Sequence, residues 1–167
     1  MRNRTAKWME CSIRYEKTME DGLQKKVTEK YVVDALSFTE AEKRIIEQMS
    51  AYISGEFEIM NINPCPFGEV FFSDDDVTAS ESVDDKWYKA KLQFITIDEK
   101  SGKEKRSNVT YLFQAGSFDG AKKNIELAMN GTMIDYVVAK VEETKYWDVF
   151  EYQTKEANGN NAEGQPT

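Results

Sequence analysis

The stretch Tyr31-Val32-Val33-Asp34-Ala35-Leu36-Ser37-Phe38-Thr39-Glu40-Ala41 returns as Tyr111-Leu112-Phe113-Gln114-Ala115-Gly116-Ser117-Phe118-Asp119-Gly120-Ala121, an offset of 80. Working outward, Lys7-Trp8 recurs as Lys86-Trp87, an offset of 79, so the second copy carries one extra residue in its first turn. Towards the other end, Ile45 and Met49 meet Ile125 and Met129. Phe57, Ile59 and Ile62 meet Tyr136, Val138 and Val141, and Val70-Phe71 meets Val149-Phe150. Matches spread over nearly the whole of each half make coincidence untenable: one unit is written twice in tandem.

The shared pattern carries the secondary structure. Met9, Cys11, Ile13 and Tyr15 alternate with charged or polar residues, as do Tyr88, Ala90, Leu92 and Phe94. Period-two alternation marks a half-buried strand. Glu20-Asp21-Gly22 and Lys100-Ser101-Gly102 read as hairpin turns, with Gly where positive φ is often needed. The returning strands bury Tyr31, Val33 and Ala35, and Tyr111, Phe113 and Ala115. A helix follows, opened by a capping box at Ser37 and Glu40 or at Thr39 and Glu42. Its apolar stripe is Ala41, Ile45, Met49 and Tyr52; the second helix shows Ala121, Ile125, Ala128 and Met129, and Asn130-Gly131 stops it. One or two strands (Glu56 to Asn61 and Glu69 to Phe72, then Asp135 to Val141 and Lys145 to Tyr152) complete each copy.

The expected fold class is therefore α+β, a tandem duplication of a ββαβ(β) unit with antiparallel sheets, each packed by one helix. The first repeat spans 6–72 and the second 86–152. Between them, 73–85 holds six acidic side chains and no basic one, the composition of a solvated linker. It lacks the central Gly and distal Glu of a Ca²⁺ loop. The tail 153–167 is of low complexity and is expected to be disordered. A single repeat of this size buries little surface and would be marginal alone.

Composition bounds the chemistry. The 167-residue chain has a net charge of −8, no histidine and two cysteines, Cys11 and Cys65. Without histidine, Ser-His-Asp and Cys-His catalysis are excluded within the chain, and a four-ligand N/S zinc site cannot be assembled. Neither a Walker A loop nor a dinucleotide fingerprint occurs. No catalytic residue, cofactor or metal is expected, and the protein is read as no enzyme. No apolar run approaches the roughly 20 residues that span a bilayer. With no secretory signal and few cysteines, the expectation is a cytoplasmic protein without membrane contact.

Two features offer a binding surface. Trp8 and Trp87 share their strand faces with charged residues, where an aromatic ring can stack a base, a sugar or a side chain; the competing reading is that each caps its sheet or fills the contact between the two copies. Lys89, Lys91, Lys105 and Arg106 make the second hairpin basic, a modest nucleic-acid signal. The pI near 4.8 favours a merely solvated face over a phosphate-tracking groove.

Trp8-Met9-Glu10-Cys11-Ser12-Ile13-Arg14-Tyr15-Glu16-Lys17-Thr18, the run Val33 to Glu42, Tyr52-Ile53-Ser54-Gly55-Glu56-Phe57, Trp87 to Leu92 and Gly131 to Tyr136 resemble the domain-of-unknown-function 4494 family. The resemblance covers 6–152 and implies an origin in bacteria, their phages or mobile elements. It brings no activity. The leading expectation is a non-enzymatic binding or adaptor protein whose partner is a protein. The alternatives are an accessory protein for single-stranded nucleic acid, and a binder of a small ligand such as a nucleotide at the repeat interface.

Overall fold

A computed structural model describes residues 6–73 and 85–152. The acidic linker, apart from its end residues, and the tail beyond Tyr152 lie outside the described residues. The elements run β1 (Lys7–Thr18), β2 (Gln24–Ala35), α1 (Phe38–Tyr52), β3 (Phe57–Pro64), β4 (Phe67–Phe71), β5 (Lys86–Ile97), β6 (Glu104–Ala115), α2 (Phe118–Asn130), β7 (Asp135–Glu143) and β8 (Tyr146–Phe150). The fold is α+β, a duplicated unit with one helix on each sheet.

Each copy builds its first three strands as the alternation requires. β1 pairs with β2 along its full length from Lys7–Ala35 to Thr18–Gln24, and β5 pairs with β6 from Lys86–Ala115 to Ile97–Glu104. The hairpin turns place Gly22 at φ 83 and Gly102 at φ 68, a conformation that costs a side-chain-bearing residue about 1 kcal/mol. The second turn is the longer by one residue, which accounts for the change of offset. Ser37 Oγ accepts the Glu40 amide and Ser117 Oγ the Gly120 amide, both at 3.1 Å. Glu40 Oε1 in turn accepts the Leu36 amide, so Ser37 rather than Thr39 opens α1. Each helix then lies on the odd-numbered face of β1 or the even-numbered face of β5. Met9, Cys11, Ile13, Val33, Ala35, Ala41, Ile45 and Met49 form the first core; Ala90, Leu92, Tyr111, Phe113, Ile125 and Met129 form the second. Truncating Ile45 or Ile125, which are at most 1% exposed, removes roughly 2–5 kcal/mol.

The last strand of each copy departs from expectation. The sheet orders are β3-β1-β2-β8 and β4-β6-β5-β7. Thus β4 lies parallel to β6 of the second copy and β8 lies parallel to β2 of the first. Among the described residues the compact units accordingly divide after Cys65 and before Tyr146, with β8 joining the first unit and β4 the second. Connector length explains the exchange. Only Cys65-Pro66 separates β3 from β4, and only Thr144-Lys145 separates β7 from β8. Two residues reach about 7 Å. The place beside β2 lies three strand spacings from β3, roughly 14 Å, and must be entered from the opposite end. The strand therefore runs on into the other copy's sheet.

Each visiting strand sets a Phe ring against the receiving sheet. Phe150 stacks on Tyr31 with centroids 5.9 Å apart, while Phe71 meets Tyr111, the counterpart of Tyr31, edge-on at 5.5 Å and stacks on Phe113 at 4.7 Å. The Cys65 amide donates to the Trp8 carbonyl and the Thr144 amide to the Trp87 carbonyl, both at 2.8 Å. No helix among the described residues is long and apolar enough to cross a membrane.

Candidate functional site

The tryptophans expected on a binding face are buried. Trp8 is 2% and Trp87 1% exposed, and Phe72 packs edge-on against Trp87 at 5.4 Å. Both lie on the sheet face opposite the helix. The cations of the second hairpin do not converge either. Register puts Lys89, Lys91 and Arg106 on the Trp87 face and Lys105 on the helix side. Lys89 Nζ lies 2.9 Å from Glu142 Oε1, and Lys140 Nζ 3.1 Å from its Oε2. The Lys89 and Lys140 hydrogen bonds hold the Glu142 carboxyl below its usual range. Arg106 turns to Glu104 and Gln93. Lys91 and Lys105 remain exposed, among neighbours of both signs.

Cys11 and Cys65 form no disulfide. Burial first, and the nearby Glu10 charge second, push the Cys11 thiol up to about 12. It stays protonated and inert near neutrality.

A different cluster emerges in the first unit, at the end of the helix-side face beyond α1. The odd-numbered residues of β1 and β2 continue there as Tyr15, Lys17, Glu29 and Tyr31. Glu29 is only 4% exposed. Its Oε1 accepts the Tyr15 hydroxyl at 2.9 Å and its Oε2 the Tyr31 hydroxyl at 2.7 Å. Lys17 Nζ stands 3.6 Å from Oε1 and 4.7 Å from the ring centroid of Trp147. Trp147 reaches this face because β8 breaks register between its partners Lys30 and Tyr31. Its indole is 56% exposed, so the cluster opens to solvent there. Asp148, the neighbour of Tyr31 across the pairing, has its carboxyl raised by burial, an effect eased by the Val149 amide. Burial, the Glu29 hydrogen bond and the Glu29 charge push the Tyr15 phenol up to about 12 and Tyr31 higher still. Both phenols are therefore fixed donors, and Glu29 is a preoriented acceptor for cations.

The second unit fills the same positions differently. Phe94 stands for Tyr15, Thr96 for Lys17, Val109 for Glu29 and Gly68 for Trp147. A Cβ on Gly68 would lie 3.3 Å from the Tyr111 ring, so that bulge has little room for a side chain. Phe94 and Val109 pack against the second core. The second unit has its own concavity, an open cleft of about 900 Å³ between α2 and β7, lined by Leu127, Met129, Met133, Ile134 and Tyr136 among others. Leu127 is 65% and Met133 98% exposed. Met133 sits at φ 56, a left-handed conformation uncommon for such a residue.

The cluster had one signal in the sequence. Glu29 falls in phase with Tyr31, Val33 and Ala35, so a carboxylate occupies the buried register of β2. Lys17 shares its hairpin face, but Trp147 could not be joined to it, because β8 reaches β2 only through the strand exchange. Among the described residues no group of three or more histidine, cysteine or acidic side chains could hold a metal ion.

The model of the domain of unknown function DUF4494 matches residues 7–152, most of the chain, and the protein belongs to that family. No curated protein matches it.

Proposed function

For this DUF4494 protein we propose a non-enzymatic binding or adaptor role exercised through protein contacts, with the Glu29 cluster of the first unit as the contact site. One observation carries the reading: the cluster stands in one unit and is replaced by Phe94, Thr96 and Val109 in the other, on the same fold. Burying the Glu29 carboxylate and the Tyr15 phenol costs desolvation that Val109 and Phe94 avoid, while the second phenol, Tyr31, is kept as Tyr111. A fold that forms without the carboxylate does not need it, so its presence in the first unit points to a ligand. The exposed Leu127 and Met133 add a second surface suited to protein partners. Two cysteines outside any disulfide support a cytoplasmic location; an origin in bacteria, phages or mobile elements belongs to the same proposal.

The test is an affinity pull-down from the native host with and without nuclease. A defined protein retained after nuclease, and lost with Glu29→Val, is the expected result. Retention that nuclease abolishes would replace this reading with single-stranded nucleic-acid binding.

A further inference from the structure

We infer that the Trp147–Glu29 site takes the ammonium of a lysine side chain from a partner protein, and that Lys17 is its built-in competitor. This rests on the protein-contact reading and names the chemistry of the contact.

The site has the parts that ammonium recognition requires. A Trp ring supplies a negative π-face, and a desolvated carboxylate supplies a full charge. Both Glu29 oxygens are already oriented, one by each phenol at 2.9 and 2.7 Å, so binding a cation needs no rearrangement of the anion. The chain itself shows what fits. The Lys17 ammonium lies between the two groups, 4.7 Å from the Trp147 centroid and 3.6 Å from Glu29 Oε1. The second distance is longer than a charge-assisted hydrogen bond, and the Lys17 side chain is 41% exposed, so this occupant holds the site loosely. Asp148 adds a further acceptor beside Tyr31. Lys25, opposite Lys17 in the pairing, is the neighbouring basic residue on β2 and is exposed.

A lysine from outside must displace Lys17, so the free protein binds with the affinity of the vacant site reduced by the fraction vacant. If Lys17 occupies the site nine-tenths of the time, its removal tightens binding about tenfold.

The probe is Nα-acetyl-lysine methylamide, titrated into the full chain while the Trp147 indole resonance is followed by NMR. Trp8 and Trp87, both buried, serve as internal references for the fold. The expected result is a saturable shift confined to Trp147, with Kd about tenfold lower in Lys17→Ala than in wild type. Trp147→Ala or Glu29→Gln in the Lys17→Ala background should weaken binding at least tenfold, the former read at the Tyr31 ring. Equal response of wild type and Lys17→Ala would overturn the inference, and so would an equal response to the neutral Nζ-acetylated probe. A partner retained by Trp147→Ala as well as by wild type would also sink it, while leaving the protein-contact reading in place. Saturable probe binding with no protein retained would uphold the site and remove the adaptor reading.

Discussion

The two units hold their visiting strands with the same geometry and different chemistry. In the first, Arg44 donates to the Asp34 carbonyl and lies 3.4 Å from its carboxylate, while Asp34 Oδ1 accepts the Tyr152 amide at 2.7 Å, just past β8. In the second, Asn124 donates to the Gln114 carbonyl at 2.8 Å, and Gln114 Oε1 accepts the Ser73 amide at 3.1 Å, just past β4. A buried ion pair and a neutral amide pair thus do one job. The difference teaches that a polar lock is needed there, whereas its charge is not. The Glu29 cluster differs in kind: its counterpart carries no charge, with Val109 in place of the carboxylate, and it faces solvent through Trp147.

The exchange itself is the easiest part to break. Unit two is a continuous stretch, so a chain of residues 66–145 should fold and melt cooperatively. Residues 1–72, which hold the first sequence repeat, lack β8 and should give no native monomer by circular dichroism. Cooperative monomeric folding of 1–72 would contradict the assigned pairing. Next comes the lock. Arg44→Ala leaves Asp34 buried without its cation and should cost about 3–5 kcal/mol in urea unfolding. Asn124→Ala removes one neutral hydrogen bond and should cost about 1 kcal/mol. Similar losses at both positions would show that stranding the Asp34 carboxylate carries no penalty of its own.

Where the units agree, substitutions should agree. Gly22→Ala and Gly102→Ala each force a Cβ into positive φ and should cost about 1 kcal/mol apiece. The smallest effect belongs to Asp148. Burial raises its carboxyl, so the folded state binds the proton more tightly than the unfolded one. Its contribution to stability is present below the unfolded value and is lost as pH rises through the raised one. Asp148→Asn should therefore gain on wild type as pH rises through the mildly acidic range, by a fraction of a kcal/mol near neutrality. A variant that falls behind wild type over that rise would contradict the direction of the shift.

Local rules made most of this fold legible. Alternation, Gly22, Gly102 and the Ser-Phe box place six strands and both helices, because each depends on neighbours in the chain. The destination of β4 and β8 was not legible in pattern, since Val70-Phe71 and Val149-Phe150 read alike in either sheet. Only the reach of Cys65-Pro66 and Thr144-Lys145 decides it. Trp8 and Trp87 misled for a related reason: alternation assigned them to a charged face, and that face is itself covered around them. The site was half legible, with Glu29 out of character in its register and Trp147 brought to it from the far end of the chain.

The central claim is that the Glu29 cluster is kept for binding and not for folding. Its most direct test is urea unfolding of the full chain carrying Tyr15→Phe, Lys17→Thr and Glu29→Val, the second unit's residues grafted onto the first. Stability unchanged, or raised by up to about 2 kcal/mol, is the predicted result. A loss of about 2 kcal/mol or more would make the cluster a structural element of its unit and contradict the claim.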